Sequence, residues 1–186
     1  MLMQKTNFNN YFLIAMPAIS ESDSTFAQAV IFLCEHSDDG AMGIIINKPL
    51  NVTLGSVLQH LDIESNIEKI NNIPIYMGGP VGQEHGFVIH EPYRDDEQDD
   101  DLVISASRDT LADIANDEGP LQYFVSLGYT GWEAGQLEEE ISHNDWLMVP
   151  YSKEIIFDTP IEQRWRKAIE LLGIDIAKLS SHVGHA

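Results

Sequence analysis

The chain has 186 residues, 44% of them hydrophobic, enough for an interior that needs neither a disulfide nor a structural metal to fold. Ten Lys and Arg against thirty Asp and Glu give a formal net charge of -20, which repels phosphate backbones and anionic lipid surfaces and makes duplex nucleic acid a poor partner. Cys34 is the only cysteine, so an intrachain disulfide and a thiolate metal cluster are both excluded.

In the opening stretch a single Lys5 precedes polar Asn residues, and Pro17 interrupts a short apolar run. That pattern fits a first strand, Phe12 to Met16, better than a secretory signal. No stretch approaches the roughly 20 apolar residues of a membrane span, so the expected setting is cytoplasmic. Residues 20–25, SESDST, are loop chemistry. AVIFLCEH and AMGIIIN then flank an Asp-Gly turn, which predicts a hairpin of strands covered on both faces. Asn47-Lys48-Pro49 reads as a turn in which proline stops the strand. TLGSVLQHL follows with Leu54, Val57, Leu58 and Leu61 at helical spacing and Thr53 as N-cap.

Residues 63–72 are polar and fit no single period. PIYMGGPVGQEHGFVIHEP predicts strand, glycine-rich turn and strand; RDDEQDDD, at 94–101, is a solvated loop because like charges at that density resist packing. LVISAS is a strand, and Ser107 or Asp109 caps a helix carrying Leu111, Ile114 and Ala115. LQYFVSLGY is a strand, the next helix carries Leu137 and Ile141, and WLMVP is extended. A last helix begins near Pro160 with an inward stripe of Ile161, Trp165, Ala168, Ile169 and Leu172. Strands outnumber helices and no Pro/Ser linker divides the chain. The expected fold is α+β, one domain over residues 1–186 around a mixed, largely antiparallel sheet flanked by helices.

Four constellations bear on chemistry. Cys34 and His36 lie two apart on a predicted strand, where a thiol and an imidazole on one face could form a nucleophile and its base; a core cysteine and a strand-end histidine is the plainer account. The seven histidines are scattered, at 36, 60, 85, 90, 143, 182 and 185, and no metal or other cofactor is expected. GGPVGQEHG, at 78–86, lacks the Lys-Ser/Thr of a P-loop and reads first as a turn needing positive φ at Gly78 or Gly79. Arg164, Arg166 and Lys167 are the local basic cluster through which DNA contact would have to run.

The stretch GYTGWEAGQLEEE, residues 128–140, reads as a strand-to-helix corner. Gly128 and Gly131 allow sharp turns on either side of Tyr129, and the acids fall mostly on the solvent side. Tyr129, Trp132 and Gln136 are left over as side chains able to read a small polar ligand.

The order CEHSDDGAMGIIINKP, GGPV, GYTGWEAGQLEEE, NDWL, a helix with RW and a terminal GHA resembles the AlgH/YqgE family of bacterial proteins from about Phe12 to Ala186. The resemblance implies a cytosolic domain with a mixed, partly coiled sheet flanked by helices, and no established catalytic set or cofactor. One line of that family is described as a transcriptional regulator. Lys48 stands where the family commonly has Arg, and Glu133-Ala134 where it commonly has Gly-Pro; lysine cannot form the same bidentate fork. The reading is therefore a non-enzymatic binding or regulatory protein for a small anionic ligand or a protein partner. Its candidate contacts are Asn47, Lys48, Gly78, Gly79, Tyr129, Trp132 and Gln136. A direct or indirect transcriptional regulator and a Cys34/His36 enzyme are the alternatives.

Overall fold

A computed structural model describes residues 8–16, 23–93 and 101–173. Pro17 as a strand stop, the start of the 20–25 loop, the acidic run up to residue 100 and the tail with His182 and His185 lie outside these. The chain forms two compact units, one of residues 1–47 with 131–186 and one of residues 48–130. The pairings are mixed and mostly antiparallel, and with six α-helices among the described residues the fold is α+β, as expected.

In the first unit β1 (Tyr11–Ala15) pairs antiparallel with β2 (Val30–Ser37) and with β9 (Trp146–Pro150), and β2 pairs with β3 (Gly40–Ile45). Phe12 to Ile14, Val30 to Leu33 and Ile44 to Ile46 are all buried, so the alternation of a half-exposed strand is absent, as the continuous apolar runs predict. The hairpin turns at Asp38-Asp39, with Ser37 opposite Gly40. The β2–β3 register steps between Leu33 and Glu35, leaving Cys34 as the extra residue of a bulge.

Helix α6 (Ile161–Leu171) packs on β1 and β2, and α4 (Gln136–Ser142) packs on β3 and β9. A shorter helix, α5 (Lys153–Phe157), buries Ile155 and Ile156 ahead of α6 and has no counterpart in the sequence reading. The expected stripe on α6 is present, with Ala168 and Ile169 buried and Ile161, Trp165 and Leu172 half-buried.

In the second unit β4 (Pro49–Thr53) pairs antiparallel with β5 (Pro74–Met77), and β5 runs parallel to β8 (Tyr123–Glu133). β6 (Val81–His90) lies antiparallel to β8 and to β7 (Val103–Ser105). The boundary between the units falls inside β8, after Thr130. Three helices, α1 (Leu54–His60), α2 (Glu68–Asn71) and α3 (Arg108–Ala115), bring Leu54, Leu58, Ile70, Leu111 and Ile114 onto Ile75, Val88 and Val125 of the strands. Ser107 caps α3 by accepting from Asp109 N at 3.1 Å. Thr53 occupies the N-cap position of α1, but its hydroxyl faces Ser56 Oγ at 3.3 Å and caps no amide.

Two local readings are corrected. Pro49 does not follow a strand as its stop; it opens β4, where the first residue of a strand needs no donor. β8 continues through Gly128 and Gly131: Gly128 does take a left-handed φ of 75°, where the β6–β8 register shifts, but the chain bends into α4 only at Gly135, whose left-handed φ of 77° is the conformation a helix N-cap residue with a side chain rarely adopts.

Arg164 sits on the inward side of α6, 5% exposed, and donates from Nε to Thr159 O at 3.0 Å and from Nη1 to Ile46 O. Arg166 and Lys167 instead reach Glu170 at 3.2 Å on the exposed face. The basic trio is therefore not one surface patch. Arg164→Ala should lower stability in urea unfolding by about 2–4 kcal/mol, because two buried carbonyls lose their donor and a long stem leaves the interior. Arg166→Ala should stay within about 0.5 kcal/mol, as expected of a surface pair.

Candidate functional site

The residue that organises the 128–140 stretch is one that sequence reasoning sent to solvent. Trp132 near the end of β8 and Trp146 at the start of β9 are 7% and 4% exposed, and their rings meet edge to face at 6.0 Å. A buried indole N–H is stabilised by an acceptor. Both find the same one: Trp132 Nε1 and Trp146 Nε1 each donate to Glu140 Oε2 at 2.8 Å, while Gln136 Nε2 donates to Glu140 Oε1 at 2.9 Å. Gln136 Oε1 accepts from Glu133 N at 3.0 Å, closing the corner. The available signal was the demand itself, two tryptophans fourteen residues apart with a carboxylate one helical turn beyond Gln136.

The neighbouring Glu138 is also engaged. Its Oε1 lies 2.8 Å from His36 Nε2, and the imidazole side chain is only 8% exposed, with Phe8 stacked at a tilt 4.7 Å away and Phe8 N donating to Nδ1 at 3.5 Å. Both ring nitrogens of His36 thus have partners other than a thiol. Cys34 makes a weak contact from Sγ to Phe32 O at 3.5 Å, and burial, with the Glu35 charge beside it, pushes its thiol up to about 12. At neutral pH the sulfur is protonated, and the pair does not assemble as a nucleophile and base.

Of the seven candidate contacts, Asn47, Trp132 and Gln136 belong to the first unit. Asn47 is a bracket rather than a local turn: Oδ1 accepts from Val30 N and Nδ2 donates to Gln28 O, both at 2.8 Å, fixing the entry to β2. Lys48, Gly78, Gly79 and Tyr129 belong to the second unit, and their backbones gather. Met77 N donates to Lys48 O and Gly78 N to Leu127 O, both at 2.8 Å. A Cβ on Gly79 would stand 2.2 Å from the Tyr129 carbonyl, and one on Gly78 would stand 2.2 Å from Gly128 O. Gly79 has a positive φ of 158°, as read from sequence, and close strand approach is what bars a side chain from both positions. The Tyr129 ring is half-buried, edge-on to Phe87 at 5.8 Å, and burial lowers the pKa of the half-buried Lys48 ammonium.

Two further polar groupings lie in the second unit. Tyr93 Oη donates to Asp113 Oδ2 at 2.8 Å beside a Ser105–Thr110 hydroxyl pair, also at 2.8 Å, and burial together with Asp113 pushes the phenol up. A polar cleft of about 790 Å³ runs between α1 and the segment leading to α2, lined by Gln59, Asp62, Glu64 and Asn66 among others. Among the described residues no group of three or more His, Cys, Asp or Glu is placed to hold a metal ion, and no helix is long and apolar enough to cross a membrane.

Comparison with known proteins gives one consistent answer. A family model described as AlgH-like matches residues 12–177. A UPF0301 protein of Coxiella burnetii is 52% identical over 186 residues, covering all of this chain and 94% of the relative, and one of Nitrosococcus oceani is 46% identical over 96% of this chain and 97% of its own. The solution structure of the AlgH protein from Pseudomonas aeruginosa superimposes with a TM-score of 0.78 at 41% identity, each chain covered in full. A crystal structure of a Corynebacterium diphtheriae protein shares the fold alone, with a TM-score of 0.71 at 18% identity over 100% of this chain and 95% of that one.

Two outcomes follow. Glu140→Leu should cost about 2–4 kcal/mol, since two buried indole donors lose a charged acceptor, and should change the tryptophan emission of the native state. Cys34 in the native protein should react with a disulfide reagent at pH 8 at least tenfold more slowly than in urea, because the raised pKa leaves little thiolate.

Proposed function

The chain belongs to the AlgH-like family, and from that premise we propose that it is a non-enzymatic binding and regulatory protein whose second unit takes a small anionic ligand, or an anionic group of a partner protein, at Lys48 and Tyr129. The observation that carries this reading is the convergence at one strand end: the Lys48 carbonyl is bonded to Met77, one residue before the glycine pair that lies against Tyr129. Lysine is scarce here, with ten Lys and Arg in 186 residues, and burial disfavours its charged form at this position. An anion would favour that charged form, and the Tyr129 phenol offers a donor and an apolar face.

In this reading Gly78 and Gly79 admit the close strand approach, while Asn47, Trp132 and Gln136 hold the framework of the first unit through the bonds described above. Regulation runs through the ligand or a protein partner rather than through duplex DNA. Arg164 is inside the molecule, and Arg166 and Lys167 both face Glu170.

A thermal-shift screen of the full chain against inorganic phosphate, di- and tricarboxylates and nucleoside monophosphates tests the assignment. Hits on the wild type should weaken at least about tenfold, or about 1.4 kcal/mol, in both Lys48→Ala and Tyr129→Ala. Hits that neither substitution moves would remove these residues from the site.

A further inference from the structure

We propose that His36 is a pH-operated latch on the segment leading into β1, holding it while the imidazole is neutral and releasing its backbone when the ring takes up a proton. The device lies wholly within the first unit and is independent of the anion site argued above. β1 begins at Tyr11; ahead of it Asn9 and Asn10 turn, with Asn10 at a left-handed φ of 63°, and Phe8 arrives beside His36, the penultimate residue of β2. There the ring is held from two sides. Phe8 N donates to Nδ1 at 3.5 Å and the Phe8 ring lies 4.7 Å away at a tilt of 37°, while Nε2 stands 2.8 Å from Glu138 Oε1 of α4. The imidazole side chain is 8% exposed, so water competes little for either nitrogen.

These two contacts specify one protonation state. A carboxylate accepts, so Nε2 carries the hydrogen; an amide N–H donates, so Nδ1 offers its lone pair. Neutral imidazole with its hydrogen on Nε2 meets both demands. A proton arriving on Nδ1 acts oppositely on the two sides. It turns the acceptor of the Phe8 amide into a donor, setting N–H against N–H, and it converts the bond to Glu138 into a charge-assisted pair, the stronger kind. The aromatic contact tolerates either state, because a cation beside an aromatic face is also attracted to it. Acid therefore loosens the backbone at Phe8 and fastens α4 to β2 in one step. The other charged groups near the ring do not duplicate this role. β3 places Ala41 opposite His36; on α4 Glu138 faces the ring, Glu140 is turned to the indoles and Glu139 is exposed. On β2 and its turn Glu35, Asp38 and Asp39 are exposed carboxylates, and Cys34 keeps its proton. Among the described residues, the titrating atom bonded to the Phe8 amide is Nδ1.

NMR of the full chain between about pH 8 and pH 5, the window in which histidine changes charge, tests the assignment. At the upper end the ring nitrogens of His36 should show hydrogen on Nε2, and at the lower end both should be protonated. The Phe8 amide signal should move in step with the ring, and its exchange protection, corrected for the intrinsic effect of pH, should fall at least about threefold as one bond of ordinary strength is lost. His36→Gln keeps a donor toward Glu138 but cannot titrate, and should hold the Phe8 amide signal constant across the range. His143→Gln, at the exposed end of α4, should leave the wild-type response intact. The wild-type ring and amide signals decide the matter even where a variant fails to fold. Three results would overturn the proposal: hydrogen on Nδ1 at the upper end, a ring that stays in one charge state throughout, or a Phe8 amide that does not follow the ring.

Discussion

The first unit is governed by the dryness of its central strands. Phe12 to Ile14, Val30 to Leu33 and Ile44 to Ile46 are buried on both faces, so no water is at hand where β2 begins and β3 ends. A backbone or side-chain polar group drawn into that region costs stability unless the protein itself supplies a partner. Three side chains supply the partners: Asn47 brackets the start of β2, Arg164 reaches Ile46 O as β3 ends, and Glu140 accepts both indoles flanking the sheet. Each is polar because an apolar residue of the same shape would leave a buried donor or acceptor unmatched, at roughly 1–3 kcal/mol apiece.

That constraint explains which parts of the chain were legible. Apolar runs identify β1, β2 and β3 directly, since burial of successive residues on both faces leaves an unbroken hydrophobic signature, and the half-buried β9 carries a similar run. The helices α1, α3 and α6 carry three or more apolar residues at helical spacing and were equally plain. What escaped was short or set by distant contacts. β4 has five residues and opens with a proline; α2 and α5 have four and five, too few to show a period. The run of β8 through two glycines depends on where Gly79 and Val81 lie, and nothing local to residues 128–131 records that.

The candidate site was legible to a lesser degree, for a related reason. Sequence reasoning flags unusual residue types, and buried polar frameworks and ligand sites draw on the same types. Asn47, Trp132 and Gln136 stand out by residue type as candidate ligand contacts, and their polar groups are engaged within the first unit. Glu140 and Glu138 went unflagged because a run of glutamates on a helix normally marks a solvated face, while their roles are decided by Trp132, Trp146 and His36. Cys34 and His36 looked like a reactive pair by spacing. The bulge places Cys34 as an extra residue, burial keeps its thiol protonated, and the imidazole turns to a carboxylate 102 residues further along.

The fold persists at 18% identity with a TM-score of 0.71, so architecture alone selects no ligand, and the choice rests on charge at particular places. A chain of net charge -20 sets up a long-range field that favours cations and opposes anions. An anion approaching the proposed site at Lys48 moves against that field and must be held by close contacts. Salt screens the field over about 8 Å at physiological ionic strength. Added salt therefore removes a repulsion, although it weakens the local ion pair. Anion binding at the proposed site should therefore lose affinity only shallowly with salt, a dependence that follows from composition and would separate occupancy of that site from diffuse ion binding.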